Sequence, residues 1–328
     1  MMNKTINIIL LLAVVYSTIG CNKSENYLEK NNIKGQVESI RIKEYSAKEA
    51  FGEVQKDSKY SWRDELIEVN NQGDIVTITN FYDDEISSKL IYKYDNNGLL
   101  TDISSYNKEG NIDGKEVYYY TKDQVDSVYV YNNDGYRIKR FYYYRDEKDR
   151  IDSIRVYEVL NYDDLKTETD EYMAAGTDSA VVDSCPTGII GYDSIPNTIT
   201  ENLTEKEKIL VEEKIEIIVR TYLDENDSYR ETIESGNEKE VSVYYFNKDK
   251  RIEKIQTKSE IIEFEYNKNG DLSKYVEKDI IKDRQRYNVV REYEYEYDKE
   301  GNWIRQIIFE GEDKKPEMII EREINYFK

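Results

Sequence analysis

The chain alternates short apolar or aromatic runs with compact polar turns. Eight copies of one pattern occur, each an apolar strand end followed by Asp or Asn, two polar residues, usually Gly, and another apolar residue. Asp or Asn at the first turn position hydrogen-bonds the backbone ahead of it, and Gly at the fourth position tolerates positive φ. The pattern therefore predicts a strand, a type I turn with a bulge, and a second strand. The copies begin at Ile67, Tyr92, Tyr106, Tyr131, Tyr144, Phe246, Phe264 and Tyr295.

Two of the copies lack the glycine and have Asp149 or Lys250 in its place. Asp accepts the left-handed backbone region moderately well and Lys less well. The intervals between copies are uneven, which indicates a meander of hairpins and not a fixed-period solenoid. The predicted fold is therefore all-β, an antiparallel meander of repeated hairpins, forming either a curved open sheet or two lobes.

One strand alternates Tyr and Glu strictly up to Tyr297, which predicts a tyrosine face and a glutamate face. The strand after the next turn is predicted to place Trp303, Ile307 and Phe309 on one face. Exposed aromatic rows can stack on sugar rings or receive a peptide strand, and the alternative is packing across neighbouring strands. The candidate binding residues are Tyr293, Tyr295, Tyr297 and Trp303.

The N-terminus has the features of an export signal. Lys4 supplies a positive start, and the mostly apolar run that follows is too short to span a bilayer comfortably. The run ends in small residues before Cys21, which resembles the lipobox of bacterial lipoproteins, so Cys21 is the predicted lipid attachment site. The predicted segments are a signal peptide at 1–20, a lipidated tether at 21–32, a first hairpin lobe at 33–160, an insertion or linker at 161–212, and a second hairpin lobe at 213–328.

Charge and composition restrict the chemistry available to the chain. The formal net charge is −21, which disfavours nucleic acid and anionic lipid headgroups as partners. The absence of histidine excludes Ser-His-Asp and Cys-His catalysis in their usual forms and removes the commonest zinc ligand. Cys185 is the only other cysteine, so lipidation of Cys21 leaves no internal disulfide. The sequence therefore predicts a protein that is not an enzyme and needs no cofactor and no metal.

The motif Tyr-x-Tyr-Asp-x-x-Gly with a following apolar residue resembles the YD repeat of RHS proteins. The copy from Tyr295 to Trp303 and the last strand, 318–326, resemble the short RHS-like repeat lipoproteins of Bacteroidota. The resemblance covers roughly residues 65–160 and 213–328. It implies repeated β-hairpins without a toxin domain, and it supplies no activity for named residues.

The predicted function is a lipid-anchored outer-membrane scaffold that binds a glycan, a peptide or an envelope partner without catalysis. The alternatives are a polysaccharide hydrolase that uses carboxylates, and a lipid-carrying half-barrel whose aromatic face lines a cavity. The predicted partners are the membrane, through the N-terminal lipid, and a glycan or protein, but no nucleic acid. The body is expected at either face of the outer membrane.

Overall fold

The computed structural model describes residues 26–57, 63–161, 210–223, 228–236, 238–280 and 288–328. Within these ranges it contains one short helix and one antiparallel sheet of nineteen strands. The elements are α1 (Tyr27–Lys30), β1 (Val37–Ala50), β2 (Glu53–Lys56), β3 (Arg63–Val69), β4 (Ile75–Tyr82), β5 (Glu85–Tyr94), β6 (Leu100–Asn107), β7 (Ile112–Thr121), β8 (Gln124–Asn132), β9 (Arg137–Arg145), β10 (Ile151–Asn161), β11 (Leu210–Tyr222), β12 (Tyr229–Ser235), β13 (Glu238–Phe246), β14 (Ile252–Gln256), β15 (Glu260–Tyr266), β16 (Leu272–Asp279), β17 (Val289–Tyr297), β18 (Trp303–Glu310) and β19 (Lys315–Tyr326).

The sheet closes on itself. Strand β1 pairs with β3 along one edge and with β19 along the other, while every strand from β3 to β19 pairs with its sequence neighbours. Strand β2 pairs with the last residues of β1, so the closed ring contains eighteen strands. The predicted antiparallel meander is confirmed, but the prediction of an open sheet or of two lobes is wrong. Closure leaves no long unpaired edge in the described sheet, which removes a common route to aggregation.

The repeated turns form as the sequence predicts. In all eight copies the fourth residue donates its backbone N–H to the first residue's carbonyl, at 2.9–3.1 Å, and has positive φ. The Asp or Asn side chain also accepts backbone N–H bonds from residues two and four positions ahead, as in the turn from Asp95 to Leu99. Lys250 and Asp149 adopt φ of 60° and 61° without glycine. The Asp or Asn side chain therefore holds the turn even where the fourth residue is unfavourable.

The strands alternate direction, so the barrel has two distinct ends. We call the end where β1 begins the near end and the opposite end the far end. Six of the eight repeated turns lie at the near end, and the turns after β6 and β8 lie at the far end. The near end is therefore the more regular of the two in the described chain.

The position of α1 identifies the inward face of the sheet. Leu28 of α1 packs on Ile40 and Ile67, and its N–H lies 3.3 Å from the carbonyl oxygen of Gly73 in the β3–β4 turn. Only four residues later, the Asn32 amide donates to the carbonyl of Asn269 in the β15–β16 turn, at 2.7 Å. The two turns are about 24 Å apart along the sheet, whereas the helix rises about 6 Å over four residues. So short a bridge requires that α1 lie on the concave side.

Inward residues form two buried clusters. Side chains converge on the inside of a curved sheet, and neighbouring strands together with α1 cover Ile40, which is 0 % exposed. The first cluster joins α1 to β1 and β3 and consists of Leu28, Ile33, Val37, Ile40, Ile42, Ile67 and Val69. The second lies on β8–β11 and consists of Val128, Tyr143, Ile151, Ile154, Val156 and Ile218.

Tyrosine hydroxyls fasten the near end. A tyrosine at or near the end of one strand donates to the carbonyl of the first residue of the preceding strand, at 2.6–3.0 Å. These bonds satisfy carbonyls at the bulged turn, where the regular ladder is interrupted. Tyrosine in this motif therefore has a structural role. The tyrosines are Tyr94, Tyr120, Tyr222, Tyr266 and Tyr295.

Candidate functional site: the barrel lumen

The segment after α1 is tied into the near end of the lumen. Asn302, which is 3 % exposed, accepts the N–H of Lys34 at 2.7 Å and donates to its carbonyl at 2.8 Å. The same amide donates to the Tyr326 hydroxyl at 2.8 Å, and that hydroxyl donates to the Asp298 carboxylate. Burial and the hydrogen bond that the hydroxyl donates to the Asp298 carboxylate raise the pKa of Tyr326 to about 12. These bonds join the N-terminal segment, the β17–β18 turn and the last strand into one closure.

The four candidate binding residues lie on the inward face, beside this closure. Tyr295 donates to the carbonyl of Leu272 at 2.6 Å, and its ring lies 5.9 Å from the Trp303 ring. Tyr297 donates to Asp271 at 2.9 Å. The hydroxyls of Tyr295 and Tyr297 are thus engaged in hydrogen bonds to neighbouring elements of the sheet. The binding role of Tyr293, Tyr295, Tyr297 and Trp303 stays a prediction, but its setting is a lumen and not an exposed sheet.

A bulge changes the predicted facing of Trp303. Glu296 pairs with Arg305, and the next residue, Tyr297, pairs with Trp303, so β18 has one extra residue at this point. Trp303 therefore faces inward, where Arg322 lies 3.4 Å above its ring centroid. Burial lowers the pKa of Arg322 to about 10, which leaves it charged at neutral pH. The prediction that Trp303 shares a face with Ile307 and Phe309 is wrong, because Ile307 pairs with the outward Glu294.

Charged side chains also face the lumen on β11 and β12, close to the near end. The Nε of Arg220 lies 2.8 Å from Oε2 of Glu231, and these side chains are 1 % and 9 % exposed. Glu216 is nearby, and its buried Oε1 accepts no hydrogen bond from the described residues. Burial raises the pKa of Glu216, the charge of Lys139 opposes this rise, and the proximity of Glu231 adds to it. An ionised carboxylate at this position is therefore less favoured than one in water.

Two further lumen glutamates are paired with tyrosines. The Tyr118 hydroxyl donates to Glu116 at 2.7 Å, and the Tyr275 hydroxyl donates to Glu277 at 2.8 Å. Burial and the neighbouring carboxylate raise the pKa of each tyrosine, so each remains a neutral donor. Each pair presents a carboxylate beside an aromatic ring, which is a combination that attracts cations.

Glu216→Gln is expected to raise the unfolding temperature by about 1–2 °C at pH 7.5 and to give no gain at pH 4. The folded pKa of Glu216 lies above its usual value, so its ionisation costs stability as the pH rises. Below the unfolded pKa the residue is protonated in both states and this cost vanishes. Thermal unfolding at the two pH values tests this, with Glu265→Gln on the exposed outward face as the control. Equal gains at both pH values would contradict the expectation.

Comparisons with known proteins find similarity in structure but none in sequence. No protein-family model matches the chain, and no curated protein matches it. Among solved structures, a porin-like protein from Bacteroides uniformis ATCC 8492 matches over 89 % of this chain and 99 % of its own, with 9 % identity and a TM-score of 0.38. The two chains differ too much in shape for this likeness to indicate function.

The resemblance to RHS-like repeat lipoproteins is wrong. Its motif forms the turns of a single closed eighteen-stranded barrel. The predicted lipoprotein scaffold is wrong as well, because its candidate aromatic platform faces inward. The hydrolase and half-barrel alternatives fit no better, since the sheet is closed and its lumen carries paired charges.

Several predictions fall on residues outside the described ranges. The signal peptide, Cys21 and its acylation, and most of the predicted insertion with Cys185 are among them. In the described residues, no helix is both long enough and apolar enough to cross a membrane. The same part of the chain contains no group of three or more acidic or cysteine side chains arranged to hold a metal ion.

Proposed function

We propose that the chain is a non-enzymatic barrel held at the outer membrane whose lumen binds small cationic solutes. The observation that carries this proposal is closure of eighteen strands around inward-facing carboxylates, guanidinium groups and tyrosines. Barrels of sixteen to eighteen strands are too wide for side chains to fill and leave an aqueous channel. Glu116 and Glu277, which are half-buried on the inward face, are the carboxylates that can meet a solute in such a space.

The preference for cations follows from the lumen glutamates. Glu116 and Glu277 lie beside tyrosine rings, and Glu216 has a buried oxygen that accepts no hydrogen bond within the described chain. Carboxylates in a pore favour cations, and tyrosine faces add a cation–π attraction. The tied N-terminal segment blocks part of the near end, so solute entry is assigned to the far end.

The outward wall suits water better than lipid. Outward positions carry charges on most strands, as Arg41, Glu263 and Glu294 illustrate. A charged side chain facing lipid at the bilayer midplane costs up to about 2–4 kcal/mol. The barrel is therefore proposed to lie against the membrane and not to span it. The export signal predicted at residues 1–20 supports the placement at the outer membrane.

Spermine binding to the purified full chain tests the proposal by titration calorimetry. We expect saturable binding that weakens at least tenfold in the double variant Glu116→Gln/Glu277→Gln. Both glutamines keep an oxygen that can accept the tyrosine hydroxyl, so the fold should be retained. The variant removes two lumen charges and nothing else.

The matched control is Glu265→Gln/Glu294→Gln, which makes the same change in net charge on the exposed outward face. This control should bind spermine like the unmodified chain. Equal losses in the two double variants would show non-specific attraction, and absence of saturable binding would contradict the proposal outright.

A further inference from the structure

The outward faces of β7, β8, β9 and β10 form a basic aromatic surface, here called the Tyr–Arg face. Registers of these four strands place basic, aromatic and small residues outward, and their acidic residues lie either on the inward face, as Glu116 and Glu158 do, or at bulges, as Asp113, Asp126 and Asp152 do. These residues are Lys115, Val117, Tyr119, Ser127, Tyr129, Tyr131, Arg137, Arg140, Tyr142, Tyr144, Ser153, Arg155 and Tyr157.

Tyrosine rings cross the face as a continuous row. Tyr119 lies 4.7 Å from Tyr129, Tyr129 lies 6.5 Å from Tyr142, and Tyr142 lies 5.7 Å from Tyr157, measured between ring centroids. Each ring is on a different strand, so the row spans four strands, about 15 Å between the outer two. Tyr119 is 43 % exposed, which leaves part of the row open to contact.

Arginines are held between the rings. The Arg140 guanidinium lies 5.3 Å from the ring centroids of both Tyr129 and Tyr142, and Arg155 lies 4.6 Å from that of Tyr144. Stacking on the tyrosine rings fixes the guanidinium planes. Arg155 and Tyr144 are both exposed, so this part of the face is accessible from outside the barrel.

The opposite wall has the reverse charge. Outward positions of β15, β17 and β19 carry glutamates, including Glu263, Glu294 and Glu321. The net charge of −21 is thus unevenly distributed, and the Tyr–Arg face is a basic region on an acidic protein. The prediction, made from the sequence, that the negative net charge disfavours anionic lipid headgroups assumes that the charge is spread evenly over the surface.

We infer that the Tyr–Arg face binds an anionic phospholipid surface. Guanidinium groups match phosphate oxygens in geometry and charge, and tyrosine suits the headgroup region with its apolar ring and polar tip. Val219, 39 % exposed on neighbouring β11, extends the apolar part of this surface. The opposite acidic wall is repelled by the same lipids, so the barrel is oriented with β7–β10 toward the membrane. The inference concerns the outer wall and does not depend on the lumen solute.

Co-sedimentation of the full chain with lipid vesicles tests this inference. We expect binding to vesicles of phosphatidylcholine with phosphatidylglycerol and much weaker binding to phosphatidylcholine alone. The variant Arg140→Gln/Arg155→Gln should bind the anionic vesicles about 10–30-fold more weakly, given the usual contribution of each basic residue at a membrane surface. Any lipid contact of the N-terminal segment is common to all variants and cancels in the comparison.

The matched control is Lys254→Gln/Lys274→Gln, which makes the same charge change on the acidic wall and should bind normally. Tyr119→Ser provides a second, milder variant that should also weaken binding. Equal losses in the arginine and lysine variants, or equal binding to neutral and anionic vesicles, would overturn the inference. Spermine titration of the arginine variant should be unchanged, which separates this result from failure of the proposed lumen function.

Discussion

Glu231→Ala should lower the free energy of unfolding by about 3–5 kcal/mol. Glu231 and Arg220 are almost fully buried on the inward face of β11 and β12, and the substitution leaves the arginine without its carboxylate. Burial opposes the charge of Arg220, but Tyr229 and Glu231 outweigh it and raise its pKa, so the arginine remains charged. A buried cation without its partner is the source of the large effect.

Denaturant unfolding at pH 7 measures this effect. The control is Glu234→Ala, since Glu234 lies three residues away, has a side chain that is 45 % exposed, and pairs with Lys239 at 2.7 Å. Exposed pairs contribute less than about 1 kcal/mol. The double variant Arg220→Met/Glu231→Leu should recover most of the loss, because it removes both charges. A loss in Glu231→Ala no larger than in Glu234→Ala would contradict burial of the pair.

Ile40→Ala should lower the free energy of unfolding by about 2–5 kcal/mol. Ile40 is 0 % exposed and is paired with Ile67 on β3 and Ile324 on β19, so it lies at the seam where the sheet closes. The substitution removes apolar contacts on both sides of the seam and leaves a cavity under α1. The expected loss is therefore among the largest for any single apolar side chain.

Denaturant unfolding of two further variants separates the loss of packing at Ile40 from a general sensitivity of the barrel to substitution. Ile40→Val should cost only about 0.5–1.5 kcal/mol, because most of the side chain is kept. Ile112→Ala, at a position that is 43 % exposed, should change stability by less than about 0.5 kcal/mol. If Ile40→Ala were as mild as Ile112→Ala, the seam would not be packed as described.

Local features of this fold could be predicted from the sequence because their causes are local. Asp95 and Gly98 define a turn within five residues, and the same chemistry recurs at each copy. Closure depends on β1 meeting β19, which are separated by almost the whole chain, and no local pattern encodes that pairing. The repeat therefore specifies the hairpins but does not distinguish an open sheet from a ring.

The candidate site was harder to predict for three physical reasons. A single extra residue in β18 turns Trp303 inward, and bulge position is not visible in simple alternation. The Tyr295 hydroxyl binds a backbone carbonyl, so an aromatic row that suggests ligand stacking is partly a structural fastening. Net charge gives no information on distribution, and the contrast between Arg140 and Glu294 becomes apparent only once strand registers are known.

Closure of the barrel through β1 and β19 is the central claim, and disulfide trapping tests it most directly. Paired residues on antiparallel strands have Cα atoms about 4.5–5.5 Å apart, which is within disulfide range. Cysteines would replace Arg41 and Glu323, or Ser46 and Met318, in a chain with Cys21→Ser and Cys185→Ser. One of these pairs is a hydrogen-bonded pair of the antiparallel ladder and the other is a non-hydrogen-bonded pair. One of the two should therefore have the geometry that favours a disulfide.

The positive control is a cysteine pair at Arg305 and Glu321, which belong to the adjacent β18–β19 hairpin. We expect mild oxidation to link β1 to β19 in at least one test pair, in monomeric protein, as readily as in the control. A control that forms its disulfide while both test pairs remain reduced would show that β1 and β19 do not meet and that the sheet is open.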